Sequence, residues 1–215
     1  MTKYGYAIVF GGWALFLLFL ILAVICRQPF FYYLTVLIGI ISCFNLLFFR
    51  DPQRTIPENP QAVLSPADGR VIQIMEVMED NFFHCKVQRL SIFLSVFNVH
   101  VNRSPISGKV EYFDYRKGAF RPAFEENASI ENEQSAIGIV DQEGRKIMFT
   151  QIAGIIARRI VCDLREGNHT RAGDRMGMIR YGSRIDIYYL PEQLELKVQI
   201  GDKVKGGESI IGVFK

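Results

Sequence analysis

Gly182-Ser183 is the only Gly-Ser pair in the 215 residues. A serine hydroxyl can attack the carbonyl before it and turn that amide into an ester. Elimination then leaves a pyruvoyl group as a new N-terminus, a covalent cofactor derived from Ser183. Its ketone condenses with amines and acts as an electron sink. Most Gly-Ser pairs are turns or linkers, so the setting decides. Read with a period of two, Ile179, Tyr181, Ser183, Ile185, Ile187 and Tyr189 share one face. Arg180, Gly182, Arg184, Asp186 and Tyr188 share the other. This predicts one half-buried strand over residues 179–190 with Ser183 on its apolar side. A core serine bonded to nearby backbone fits the same pattern, so the chemical reading needs a group to take the hydroxyl proton.

His100 is the candidate for that group. It ends an apolar run, residues 87–101, predicted to be a single strand, and Asn98 and Asn102 share its face. Three polar side chains at the end of a buried strand need partners or a pocket. Asp68, in a Pro-Ala-Asp-Gly turn, can orient the imidazole while His100 takes the proton from Ser183, as in hydrolase triads. Asp before Gly is equally an ordinary turn pairing. Arg180, Arg184, Arg103 and the pair Arg158-Arg159 are candidates for binding a phosphate or carboxylate, with Asn98 beside them. His84 and His169 have no polar company and read as surface or structural residues.

Two apolar segments precede these residues. Neither residues 4–26 nor residues 28–49 contain a charge, and each is long enough to cross a hydrocarbon core as a helix. Arg27-Gln28-Pro29 separates them as a tight turn. The prediction is a transmembrane helical hairpin over residues 1–50, with a re-entrant hairpin as the alternative, too long and too paired for a cleaved signal peptide. Lys3, Arg50 and Arg54 flank its outer ends, which places both ends and the following domain on the cytoplasmic side of the cell membrane. Residues 50–215 hold 23 basic against 22 acidic residues. That balance argues against a nucleic-acid partner, which would need a basic stripe. Four scattered cysteines and three histidines suggest reduced thiols, with no disulfide framework and no metal centre.

Residues 51–215 read as β. Strands are predicted over 63–64, 69–77, 87–101, 109–115, 136–140, 146–152 and 179–190, divided by Gly, Pro, Asn and Asp turns. Residues 153–165 allow a short helix, and residues 120–135 read as a mobile surface loop. Ser65-Pro-Ala-Asp-Gly-Arg-Val71 is echoed by Ser104-Pro-Ile-Ser-Gly-Lys-Val110, and Gly173-Asp174 by Gly201-Asp202. These Gly-Asp turns resemble those of biotinyl and lipoyl carrier domains. The fold class expected is mainly β, a single sandwich-like domain with biotinyl/lipoyl-like elements behind the hairpin.

Five ordered segments carry a family resemblance: Ser65-Pro-Ala-Asp68-Gly, Phe97-Asn-Val-His100-Val-Asn-Arg-Ser-Pro-Ile-Ser-Gly108, Gln151-Ile-Ala-Gly154, Ala157-Arg-Arg159 and Gly177-Met-Ile-Arg-Tyr-Gly182-Ser183-Arg184. From about residue 51 to 215 the chain resembles the short, membrane-anchored phosphatidylserine decarboxylases and the similar archaetidylserine decarboxylases. The resemblance implies cleavage between Gly182 and Ser183 into a large chain and a 33-residue small chain, residues 183–215. It implies a processing triad of Asp68, His100 and Ser183, and decarboxylation of a phosphatidylserine or another serine lipid. Longer members carry a second histidine three residues before the triad one; Phe97 stands there, so His100 serves both steps or another group supplies the second. The partners implied are a phospholipid in the membrane and the two chains of one precursor, and a homo-oligomer is compatible with both. A non-catalytic, membrane-anchored carrier or adaptor would need a modifiable lysine at a hairpin tip, and Lys203 lies in the wrong turn.

Overall fold

The computed structural model describes residues 1–122, 128–154 and 159–215. It divides into two compact units, Met1–Pro52 and Gln53–Lys215. In the first, α1 (Tyr6–Cys26) and α2 (Pro29–Phe48) form a helical hairpin. Arg27, at φ 53°, closes α1 by donating its N–H to the Ala23 carbonyl, and Pro29 opens α2 at a position where no helical N–H is required. Both helices are long and apolar enough to cross a membrane.

The second unit holds fourteen strands among its described residues: β1 (Ala62–Leu64), β2 (Gly69–Glu79), β3 (Cys85–Leu94), β4 (Val101–Arg103), β5 (Gly108–Arg116), β6 (Gln134–Val140), β7 (Lys146–Ala153), β8 (Ile160–Cys162), β9 (His169–Thr170), β10 (Arg175–Ile179), β11 (Ser183–Tyr189), β12 (Leu194–Leu196), β13 (Lys203–Val204) and β14 (Ile210–Phe214). Eight form one sheet, in the order β13-β2-β3-β11-β7-β6-β5-β9. Two three-stranded sheets, β1-β14-β12 and β4-β10-β8, supply the other side of the core. Leu90, Ile92, Phe149, Ile185 and Ile187 from the large sheet meet Val63, Met176, Ile179, Ile211 and Phe214 from the small ones.

The two S-P-x-x-G echoes occupy matching places. Ser65 Oγ donates to the Ala67 carbonyl (2.7 Å) and Ser104 Oγ to the Ile106 carbonyl (2.8 Å). Leu64 N–H donates to Pro105, and Arg103 N–H to Pro66, both at 2.9 Å. A Cβ on Gly69 would strike the Phe93 carbonyl, and one on Gly108 the Val140 carbonyl, so both positions require glycine. β2 against β3 and β5 against β6 each carry one irregularity, after Val71 and after Val110. The domain is therefore two interleaved halves. One is β1–β3 with β11–β14; the other is β4–β10. Gly182-Ser183 lies where the chain leaves the second half and returns to the first.

Four predicted elements differ. Residues 87–101 are not one strand: β3 ends at Leu94, because its partner β11 begins at Ser183, opposite Leu94. A turn follows, closed by Asn98 N–H to the Ser95 carbonyl and Ser95 N–H to Asn98 Oδ1, both 2.9 Å. Residues 179–190 are also broken, since Tyr181 (φ 56°) and Gly182 (φ 81°) are both left-handed. Strand alternation holds only from Ser183, and both faces of β11 are largely buried. Of the predicted loop 120–135, residues 123–127 lie outside the described residues. The rest includes a helical turn, α3 (Ala128–Glu131), and a fully buried Asn132. The possible helix at 153–165 shows Ala153 in β7 and Ile160–Cys162 in β8; residues 155–158, Arg158 among them, lie outside the described residues.

Candidate active site

Ser183 is the first residue of β11, paired on one side with Leu94 and on the other with Ala153. It is 0 % exposed, and its Oγ has no hydrogen-bond partner among the described residues. An orphaned buried hydroxyl costs about 1–3 kcal/mol. Ser91, in β3 of the same sheet, is buried with an unpartnered Oγ as well, so what sets Ser183 apart is its place beside Gly182 and His100. Asn132 steadies the neighbouring strand end, its Nδ2 donating to the Ala153 carbonyl at 2.7 Å.

His100 is also fully buried. Its Nδ1 lies 2.9 Å from the Asn98 carbonyl, which can only accept, so Nδ1 carries the proton. Nε2 accepts the Gly182 N–H at 3.3 Å. The ring therefore touches the residue whose carbonyl Ser183 would attack, through the nitrogen that a base would use.

The strained bend brings these groups together. Tyr181 and Gly182 are consecutive left-handed residues immediately before the bond. For tyrosine that conformation costs of order 1–3 kcal/mol, and such strain persists where surrounding structure imposes it. At Gly182 an added Cβ would only make ordinary contact with Val96 (3.6 Å), so glycine is required there for its φ and not for space.

Asp68 was expected to hold the imidazole, but its carboxylate has other partners. Arg54 Nη2 donates to both oxygens (2.8 and 2.9 Å), and the Gly206 N–H adds a third bond at 2.8 Å. The Asn98 carbonyl takes the orienting place at Nδ1. Asp68 and Asn98 line one cleft of ≈ 540 Å³, which puts the carboxylate on the rim of the segment that holds His100.

The arginines separate into two kinds. Arg184 is 1 % exposed and pairs with Asp186 through Nε and Nη2, both at 2.8 Å, while Ser129 Oγ donates to the same carboxylate. Arg103 is buried with Nη1 on the Gly173 carbonyl. Both guanidiniums are thus buried and bonded to protein groups. Removing one partner of a buried ion pair costs about 3–5 kcal/mol. Asp186→Ala is therefore expected to lower unfolding stability by that amount, read by urea melts in a Ser183→Ala background; a change below about 1 kcal/mol would contradict this. Arg180 differs. Burial, and then the charge of Arg159, hold its guanidinium below the ordinary arginine value. Exposed Arg159 lines a cleft of ≈ 320 Å³ with Tyr115, Ser135 and Cys162. Burial pushes the Cys162 thiol up, which leaves it a poor nucleophile at neutral pH.

Known proteins give the family. The phosphatidylserine decarboxylase profile matches residues 41–212. The chain belongs to the phosphatidylserine decarboxylase family. Among curated relatives, a phosphatidylserine decarboxylase proenzyme of Desulfotalea psychrophila is 45 % identical over 83 % of each chain. One from Geobacter metallireducens is 42 % identical over 98 % of this chain and 94 % of its own. One from a Wolbachia of Brugia malayi is 51 % identical over 76 % and 73 %. The Arg54 partner of Asp68, the left-handed Tyr181 and the Asn102–Gln151 contact were not anticipated from sequence. Gln151 belongs to one of the five family-like segments, and Asn102 shares the predicted face of His100.

Proposed function

We propose that this chain is a self-processing phosphatidylserine decarboxylase whose 182–183 bond is broken by Ser183 with His100 as base. The observation that carries the reading is the buried Ser183 hydroxyl, unpartnered among the described residues, next to the left-handed Tyr181-Gly182 bend whose Gly182 N–H donates to His100 Nε2. His100 Nε2 takes the hydroxyl proton as Oγ bonds to the Gly182 carbonyl carbon. Collapse breaks the C–N bond, and the proton passes to the Ser183 nitrogen. Loss of the Ser183 Cα proton then expels Gly182 as a carboxylate, and water replaces the nitrogen, released as ammonia, to leave the ketone. Leu94 and Ala153 flank that position and keep it dry, which suits a carbonyl group and disfavours the charge of a departing carboxylate's ground state. The pyruvoyl group, once formed, supplies an electron sink for loss of CO2 from the serine headgroup. His100 is positioned to hold and return the proton of that step. Asp68 supports the segment around Asn98 from the cleft they share.

Arg159 and Arg180 suit the lipid phosphate, because an anion between them relieves their mutual repulsion. The two helices anchor the chain in the cell membrane, with Lys3, Arg50 and Arg54 favouring a cytoplasmic domain. Cleavage leaves β11 hydrogen-bonded between β3 and β7, β13 paired with β2, and β14 paired with β1 and β12, so the small chain stays with the large one.

The test is CO2 release from phosphatidylserine in mixed micelles by the purified cleaved protein. Activity abolished by prior carbonyl trapping with hydroxylamine is expected; cleaved protein without activity on any serine phospholipid would overturn the reading. Arg159→Gln is expected to leave cleavage intact and lower kcat/KM about tenfold, the worth of one charge-assisted hydrogen bond. An unchanged kcat/KM would remove Arg159 from the phosphate site.

A further inference from the structure

Near Ser183, two buried amides each leave one end without a partner among the described residues. Gln151 Nε2 donates to Asn102 Oδ1 at 2.8 Å, yet Asn102 Nδ2 and Gln151 Oε1 have no hydrogen-bond partner among the described residues. Both side chains are 0 % exposed. Exchanging O and N in both amides preserves the contact and swaps the free ends. In either orientation the pair offers one free donor and one free acceptor.

The sheet places this pair at the reacting bond. On β7 against β11, Ile185 faces Gln151 and Ser183 faces Ala153. Gln151 and Ser183 are therefore diagonal neighbours on the core face, within roughly 7–8 Å at the backbone and inside the reach of a glutamine side chain. Asn102 arrives from β4, two residues after His100. The pair thus ties the strand segment that carries the base to the strand beside the nucleophile. Leaving two amide ends unpaired in a dry core is costly, and an apolar pair would avoid that cost. The arrangement is intelligible where the ends serve a group that gains charge during reaction.

We propose that the Asn102–Gln151 amide pair supplies a hydrogen-bond donor and an acceptor to the reacting atoms at Ser183. This rests on the reading of 182–183 as a self-cleaved bond. When Oγ bonds to the Gly182 carbonyl carbon, the carbonyl π electrons move onto its oxygen, and the free donor stabilises that oxyanion. When the C–N bond breaks, the Ser183 nitrogen gains the proton held by His100, and the free acceptor takes one of its N–H bonds. Both amides are then catalytic residues of maturation.

The experiment compares the full chain with Asn102→Leu, Gln151→Met and the double variant. Cleavage half-times are read on denaturing gels with and without hydroxylamine, and melting temperatures in a Ser183→Ala background. The double variant removes every orphaned end, so its melting temperature is expected to match or exceed the parent's. Its cleavage is expected to slow about 10²-fold, by loss of an oxyanion donor. Hydroxylamine, which cuts the ester, is expected not to restore the rate, because the slowed step precedes ester formation. A folded double variant that cleaves at the parent rate, or one fully rescued by hydroxylamine, overturns the proposal. If it does not fold, Gln151→Glu decides: it keeps the shape and the Asn102 contact but leaves acceptors at both free ends, and parent-rate cleavage there overturns the proposal equally. An uncleaved parent chain is a different outcome, which overturns the self-cleavage reading itself.

Discussion

His100→Ala is expected to slow breakage of the 182–183 bond by about 10²–10⁴-fold, so that the chain accumulates as an uncleaved precursor. Ser183 is a weak nucleophile at neutral pH unless a neighbour removes its proton. Among the described residues, His100 is the histidine that touches the scissile segment, through the 3.3 Å bond from Gly182 N–H to Nε2. Its Nδ1 proton is committed to the Asn98 carbonyl, which holds the tautomer in which Nε2 is the acceptor. Truncation also leaves a cavity, so the variant's melting temperature is measured beside its cleavage half-time. A folded His100→Ala chain that cleaves at the parent rate would place the base elsewhere.

Ser183→Ala is expected to abolish cleavage and decarboxylation together, yet to leave the fold at least as stable. The hydroxyl is buried and unpartnered, and its removal deletes an unsatisfied polar atom without breaking a hydrogen bond. Alanine keeps the Cβ that sits between Leu94 and Ala153. Stability retained with function lost is the pattern of a site that holds its reactive group at a cost. A melting temperature lowered by more than a few degrees would show that the hydroxyl has a structural partner, and any residual cleavage would show a different nucleophile.

Much of this was legible in residue order. The two uncharged runs predicted α1 and α2, and the S-P-x-x-G echo anticipated the matched turns around Ser65 and Ser104. Gly182-Ser183 marked the reacting bond, and period two placed Ser183 on the core face. What could not be read was set by tertiary partners. Residues 180–182 look like strand, but the crossing between the two halves forces Tyr181 and Gly182 left-handed. Residues 95–98 continue an apolar run, but β11 begins opposite Leu94, and no ladder remains to pair them. The partners of Asp68 could not be read either, because an arginine 14 positions earlier gave no signal of approach; Arg54 and the Gly206 amide bond to its carboxylate. Arg184 reads as exposed on an alternating strand, and only the layer containing Asp186 and Ser129 explains its burial.

The most direct measurement is the denaturing intact mass of the purified chain beside its Ser183→Ala variant. The expected result is two chains, residues 1–182 ending in a free carboxylate and residues 183–215 beginning with a ketone in place of an amine, with the variant uncut. A catalytically active preparation containing a single chain of all 215 residues, or a 33-residue chain retaining an ordinary serine amine, would contradict it.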